Sequence, residues 1–182
     1  GNKTIDATGH VVAPGFIDLH AHGQNIGDYR MQAMQGVTTM LELESGVLPI
    51  GEWYDKQAEK KLPIHYGAAA GWTFARIASF AGEQPVSTPA YFQDAQGRSD
   101  WKMNIATPEQ QAKILKYVEQ GLDEGAIGIV DDDAAVGQQV INRSSQVHPQ
   151  VSLVGCGIME WVGCLAQVRF DAILIDVFVT SG

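Results

Sequence analysis

Residues 14–23 read PGFIDLHAHG, and the other predictions depend on how this stretch folds. The opening Pro-Gly pair breaks the preceding segment, and the apolar residues after it predict a β-strand from Phe16 to His22. Side chains alternate between the two faces of a strand, so Asp18, His20 and His22 are expected on one face. Two imidazoles this close on a rigid strand can both bind one metal ion at about 2.0–2.1 Å, the usual Zn–N distance. The stretch therefore predicts a metal site.

A His-x-His pair is weak evidence by itself. Five histidines scattered over 182 residues produce such a pair by chance roughly one time in seven. The default interpretation is then two exposed or hydrogen-bonded histidines near a strand end. The surrounding sequence favours a metal, because it adds a breaker, an apolar strand start, an Asp in register and a Gly directly after the pair. If the strand belongs to a (β/α) barrel, its carboxyl end is where the active site forms.

Beyond this stretch the chain alternates between strand and helix signals, which favours a parallel α/β architecture. The clearest helix begins at the capping residue Thr107, continues with Pro108 and Gln110 as a capping box, and ends at Gly125. The residues expected on its buried face are Leu115, Val118 and Leu122. The other predicted helices are 29–35 and 52–61, the predicted strands are 16–22, 37–43, 64–70 and 126–130, and a long loop is predicted over 82–104.

Composition and charge exclude several classes of function. The net charge of −9, from 12 Lys and Arg against 21 Asp and Glu, gives no basic surface for nucleic acid or an anionic membrane. The most apolar run, 170–180, contains two aspartates and is too short to span a bilayer, and no secretory signal is visible. Cys156 and Cys164 are too few for a disulfide framework and are interpreted as buried apolar residues. We therefore expect a cytoplasmic protein that binds neither nucleic acid nor membrane.

Several runs of sequence resemble the amidohydrolase superfamily. Residues 5–22 are similar to the start of its barrel, and Gly36-Val37-Thr38-Thr39 is similar to its second strand. Residues 66–71 (YGAAAG) with Arg76, and residues 121–128 (GLDEGAIG), are similar to the D-aminoacylase branch, the N-acyl-D-amino-acid deacylases.

The resemblance implies an α/β fold of the (β/α)8 TIM-barrel type, incomplete in this chain. Residues 1–14 are then the remnant of a small N-terminal β-domain, residues 15–130 hold the first strands and helices of the barrel, and residues 131–182 stay unassigned. The implied function is a metal-dependent hydrolase that cleaves a linear amide, with one or two zinc ions and a small N-acyl amino acid or similar amide as its partner. Because such a barrel takes about 250 residues, the chain is expected to lack the complete site.

The same resemblance assigns His20 and His22 as metal ligands. The branch usually has a cysteine where this chain has Ser45, so an oxygen ligand from Glu44 or Glu42 is expected in place of the thiolate. Glu44 is preferred because it lies nearer the expected carboxyl-end mouth of the barrel.

Fewer roles can be carried over to the rest of the chain. Arg76 is expected to bind a substrate carboxylate, with a surface salt bridge as its alternative. A histidine expected after Gly71 is Trp72 in this sequence. No general base is assigned, and the residues to which no ligand or catalytic role is given are His65, His148 and Asp176.

Two other interpretations stay open. The first is a non-catalytic half-barrel or interaction module, in which an unpaired sheet edge promotes formation of a homo-oligomer. The second is a cyclic amidase of the hydantoinase or dihydroorotase kind. It ranks lower, because those relatives usually place a carbamylated lysine on the fourth strand and residues 126–130 contain no lysine.

Overall fold

The computed structural model describes residues 4–22, 25–129 and 177–181. The strands are β1 (His10–Pro14), β2 (Phe16–Asp18), β3 (Val37–Val47), β4 (His65–Ala70) and β5 (Val177–Ser181). The helices are α1 (Ile26–Met34), α2 (Ile50–Glu59), α3 (Trp72–Ala81), α4 (Pro89–Gln96), α5 (Asp100–Met103) and α6 (Pro108–Asp123). No helix within these described ranges is long and apolar enough to cross a membrane.

The main sheet contains β2, β3 and β4, which run parallel and lie in chain order. Helix α1 connects β2 to β3 and α2 connects β3 to β4, so each connection is a βαβ crossover. The segment 126–129 is not a regular strand, but it extends the sheet beyond β4 through two backbone bonds. Ile127 N donates to Ala68 O at 2.9 Å, and Ala70 N donates to Gly128 O at 2.8 Å. The fold is therefore mixed α/β with a parallel sheet, as predicted, and its strand order is compatible with one part of a barrel.

The largest hydrophobic core lies between β4 and the helices α2, α3 and α6. Ala68 of the strand, Ile50 of α2 and Val118 of α6 are fully buried in it. Small side chains on β4 allow α6 to come close, since a Cβ on Gly121 would lie only 3.1 Å from the Ala70 Cβ. The alanines of β4 thus set the distance between the sheet and this helix.

The helix predicted from the Thr107 cap is α6. Thr107 Oγ1 accepts the Gln110 N–H at 3.2 Å, and the Gln110 side chain accepts the Thr107 N–H at 2.9 Å, which completes the predicted capping box. Its buried residues are Ile114, Val118, Gly121 and Leu122. Leu115 was assigned to this face but is only half-buried. The four-residue spacing back from Val118 selects Ile114 instead, because residues four apart lie above one another on a helix.

The prediction of a long loop over 82–104 is wrong, because this segment contains α4 and α5. Thr88 caps α4 through its side chain and Pro89 occupies the first turn, the same signal that begins α6. The loop was predicted because the segment is polar and rich in turn-forming residues, and the capping signal at Thr88 and Pro89 was not recognised. Both short helices are stabilised by packing against α3, through the buried side chains of Ile77, Ala95 and Trp101. Helix α3 is also missed by the sequence reasoning, since its N-cap is Gly71, which has no capping side chain.

Two predicted strands have different ends in the structure. Regular pairing of β2 stops at Asp18, and His20 makes only an isolated bridge to Glu42. The second predicted strand continues past Leu43 to Val47, with an irregularity in its pairing with β4 after Glu42. Both differences occur where the carboxyl ends of the strands approach one another.

Gly46 brings the ends of β3 and β4 together. Its φ is +62°, and a Cβ on it would lie 2.7 Å from Gly71 N and 2.8 Å from Ala69 O. Gly82 has a similar φ of +74°, but nothing lies within 4 Å of its Cβ position. We expect Gly46→Ala to lower the free energy of unfolding by about 1–3 kcal/mol more than Gly82→Ala, because only Gly46→Ala adds a steric clash to the backbone strain. Urea unfolding measures both losses, and equal losses would contradict the close approach.

Strands β1 and β5 form a separate antiparallel sheet, with His10 paired to Ser181 and Pro14 to Val177. β1 lies within residues 1–14, whose assignment to a small β-domain stays a prediction, and β5 lies within the unassigned residues 131–182. The remaining sequence interpretations in that segment lie outside the described residues, and they concern His148, Cys156, Cys164 and Asp176.

Candidate metal centre

The His-x-His pair follows β2, and Glu44 lies next to it near the end of β3. The backbone of Ala21, between the two histidines, donates to Leu41 O at 3.2 Å, which keeps this segment alongside β3 after the regular pairing has ended. Because β2, β3 and β4 are parallel, their carboxyl ends meet at the same edge of the sheet. Ligand sites of open parallel α/β sheets form outside this edge.

Three ligand atoms converge there. His20 Nε2 lies 2.9 Å from Glu44 Oε2, His22 Nε2 lies 2.8 Å from the same oxygen, and the two Nε2 atoms are 3.0 Å apart. The imidazole rings meet edge to face with their centroids 4.8 Å apart. The side chains of His20 and His22 are 57% and 51% exposed, so solvent and small molecules can reach them.

This donor set fits a divalent metal. Two imidazole nitrogens and one carboxylate oxygen make up the three protein ligands of a common type of catalytic zinc site, in which the fourth position stays open. The ligand atoms of a tetrahedral zinc stand roughly 3.3 Å apart when the bonds are about 2.0–2.1 Å. The observed separations of 2.8–3.0 Å need to widen only slightly. Within the described part of the chain, His20, His22 and Glu44 form a group whose ligand atoms lie within 4.8 Å of one another. Metal binding by this set stays a prediction.

Glu42 contacts the other nitrogen of His22. Its Oε2 lies 3.2 Å from His22 Nδ1, and the residue is only 5% exposed. The alternation of β3 puts Glu42 and Glu44 on the same face, but they approach different atoms of His22. Burial raises the pKa of the nearby Tyr29 to about 12, with smaller contributions from Tyr66 and Glu42. The Tyr29 phenol is therefore neutral at pH 7 and adds no charge beside the Glu42 carboxylate.

The carboxylate of Asp18, which was expected on the face of the histidines, makes bonds elsewhere. Its Oδ1 accepts the backbone N–H of His20 at 3.1 Å, and its Oδ2 accepts a bond from Gln32 Nε2 at 3.1 Å. These bonds join the end of β2 to α1 and fix the backbone of His20. Asp18 therefore supports the site without being one of the converging ligand atoms.

Comparison with known proteins identifies the family. Residues 3–148 match the sequence profile described as "Amidohydrolase family". The chain belongs to the amidohydrolase family. An allantoinase from Enterococcus faecalis is 32% identical over 59% of this chain and 26% of its own length. A D-aminoacylase from Alcaligenes xylosoxydans xylosoxydans is 30% identical over 69% of this chain and 28% of its own length, so the chain spans about a quarter of the length of these relatives. No solved structure matches it significantly.

A cavity of about 520 Å³ opens beside the converging atoms of His20, His22 and Glu44. Phe74 of α3 and Phe92 of α4 form its apolar wall, with ring centroids 6.0 Å apart. The other lining residues are His22, Glu42, Glu44, Ser45, Gly46, Thr73, Ser87, Thr88 and Pro89. The lining includes two carboxylates, while its described residues include no lysine or arginine. The two carboxylates in the lining therefore favour a bound cation.

Two positions at which the chain departs from the D-aminoacylase branch have different surroundings, and the sequence did not predict the lining residue Phe92. Ser45 lines it, so a hydroxyl stands where the D-aminoacylase branch usually has a thiolate. Trp72, at the position expected for a histidine, packs against the main core instead. Phe92 reaches the cavity wall because it lies on α4, a helix that was not predicted. The Thr88-Pro89 cap was the sequence signal that could have revealed this helix.

Arg76 is not among the residues that line the cavity. Its Nε donates to Trp101 O at 2.6 Å and its Nη2 donates to Asn104 O at 2.7 Å, while the guanidinium carbon lies 4.7 Å from the centre of the Phe80 ring. Partial burial lowers the pKa of Arg76. The side chain therefore joins α3 to the end of α5 and is not brought to the converging ligand atoms. The substrate contact predicted for it stays a prediction.

Proposed function

We propose that this chain contributes part of a zinc-dependent active site that hydrolyses a linear amide of the N-acyl-D-amino acid type. The observation that carries the proposal is the convergence of His20 Nε2, His22 Nε2 and Glu44 Oε2 to 3.0 Å or less. Zinc held by these atoms would polarise the amide carbonyl and lower the pKa of a water molecule toward neutrality. The similarity to a D-aminoacylase supports the linear amide.

The chain's own residues have two tasks in this proposal. His20, His22 and Glu44 hold the ion at the rim of the cavity, where their partial exposure leaves room for an amide and a water molecule. Phe74 and Phe92 offer an apolar surface that can cover an acyl group and exclude water from it. The proposed fold is the (β/α)8 barrel, of which the described parallel strands are the first part.

A cyclic amidase is the second candidate, and the similarity to an allantoinase favours it. Against it, the described segment 126–129 contains no lysine that could be carbamylated. The apolar wall formed by the two phenylalanines also suits an acyl chain better than a cyclic diamide, whose polar groups need partners around the whole ring.

Elemental analysis of this chain, together with a hydrolysis assay on a form of the protein that carries the complete barrel, tests the proposal. We expect about one zinc ion per chain, as three protein ligands provide. We also expect free D-amino acid to be released from N-acyl-D-amino acids faster than hydantoin or dihydroorotate rings are opened. Faster ring opening would favour the cyclic amidase. Bound zinc without either reaction would favour the non-catalytic module, and a chain that binds no zinc would contradict the proposed site.

A further inference from the structure

Glu42 is a buried carboxylate at the centre of the parallel sheet. On one side its backbone bridges to His20, and on the other it is in register with Ala68 of β4, a fully buried residue. A charged group in such a place is costly unless a partner compensates for it. The imidazole of His22, with its Nδ1 at 3.2 Å, supplies a hydrogen-bonding partner.

The two ring nitrogens of His22 have different surroundings. Nε2 points at Glu44 Oε2 and at His20 Nε2, at 2.8 and 3.0 Å, whereas Nδ1 points at Glu42. Neutral imidazole carries one N–H and one lone pair, and a carboxylate can only accept a hydrogen bond. Both ring nitrogens of His22 therefore face a carboxylate, but a metal ion bound at Nε2 uses the lone pair of that atom. In the metal-bound chain the ring proton must then lie on Nδ1, where the buried Glu42 accepts it.

We propose that Glu42 is a positioning residue, which holds His22 in the Nδ1–H tautomer and fixes the ring so that Nε2 is presented to the metal. This inference rests on the proposed zinc site and assigns different roles to the two glutamates of β3. Glu44 binds the ion, whereas Glu42 acts through His22. An ion on Nε2 lies on the side of the ring away from Nδ1, and so away from the Glu42 oxygen that contacts it. Metal-binding histidines commonly donate their other ring N–H to a carboxylate in this way.

Three variants separate the roles of the two carboxylates. Glu42→Leu removes the acceptor while filling much of its volume, and Glu42→Gln keeps an oxygen that can accept the Nδ1–H bond. Glu44→Gln is the matched control, because it alters the neighbouring carboxylate on the same strand and leaves Glu42 in place. Backbone NMR spectra of each variant show whether the fold is kept.

The first readout is the tautomer of His22 in the zinc-loaded chain, which shows the nitrogen that binds the ion and is observed by long-range ¹H–¹⁵N correlation of the imidazole nitrogens. We expect the Nδ1–H tautomer in the wild type, in Glu42→Gln and in Glu44→Gln, and a mixture with Nε2–H in Glu42→Leu. An unchanged tautomer in Glu42→Leu would overturn the proposal.

The second readout is zinc affinity, measured by competition with a chelating dye. We expect Glu42→Leu to bind zinc about 10–100-fold more weakly with unchanged stoichiometry, and Glu42→Gln to recover part of this loss. A lower number of bound ions in Glu42→Leu would instead make Glu42 a ligand and overturn the proposal. A wild-type chain that binds no zinc would contradict the proposed function and this inference with it, whereas a wild type that binds zinc, combined with an unchanged tautomer in Glu42→Leu, would overturn only the role of Glu42.

Discussion

Replacement of both His20 and His22 by alanine is expected to abolish zinc binding by this chain. The double variant removes two of the three converging ligand atoms and leaves Glu44 as a single carboxylate at the surface. Loss of one residue that merely supports a ligand costs about 10–100-fold in metal affinity, so loss of two ligands should weaken binding by more than about 100-fold. Equilibrium dialysis followed by elemental analysis measures the remaining zinc.

His65→Ala is the matched control for this experiment. His65 is an exposed histidine at the start of β4, the end of the strand farthest from the cavity, and its loss should leave zinc binding unchanged. Because the side chains of His20 and His22 are more than half exposed, the double variant should change the free energy of unfolding by only about 0.5 kcal/mol. Zinc retained in the double variant would place the metal elsewhere. If His65→Ala also lost zinc, the loss of zinc in the double variant could not be attributed to the removal of His20 and His22.

Ile50→Ala is expected to lower the free energy of unfolding by about 2–5 kcal/mol. Ile50 begins α2 and is fully buried in the core between β4 and the surrounding helices. Its truncation removes buried methyl and methylene groups and leaves a cavity that Val118 and Leu122 of α6 can fill only in part. Since domains are stable by only about 5–15 kcal/mol, this loss is a large fraction of the total.

Ile105→Ala makes the same chemical change at a residue that is 90% exposed, and it should alter stability by no more than about 0.5 kcal/mol. Both variants should be unfolded in urea without metal, because a bound ligand adds its own stabilisation to the folded state. Tryptophan fluorescence is a suitable probe, since Trp53 of α2 is buried in the same core. Equal losses for the two isoleucines would contradict the packing of α2 against the sheet.

The sequence predicted α6 well because the signal for its start is both local and complete. Thr107 and Gln110 lie three residues apart and bond only to each other, so the N-terminus of α6 is visible without any knowledge of the fold. The N-terminus of α4 carries a similar signal, Thr88-Pro89, but its helix is short and depends on Trp101 packing against α3. Stability that comes from tertiary packing does not appear in a pattern of neighbouring residues.

The candidate site shows the same difference between features that a local pattern predicts and features that depend on the tertiary fold. The His-x-His spacing is local, and the structure places both imidazoles together as that spacing requires. The strand period puts Glu42 and Glu44 on one face but cannot tell which nitrogen of His22 each one approaches. Arg76 contacts carbonyl groups 25 and 28 residues further along the chain, so nothing in its immediate sequence reveals that these groups occupy its guanidinium.

The pairing of β1 with β5 has a consequence for the order of folding. It joins His10 to Ser181, whereas β2, β3 and β4 pair with strands close to them in the chain. The entropy lost on closing a loop grows with its length, and contacts between distant segments form slowly. The parallel sheet should therefore assemble first, while a ribosome is still adding the later residues. The imidazoles and the carboxylate are then together before β5 is synthesised, so a nascent chain could bind the proposed zinc ion during synthesis.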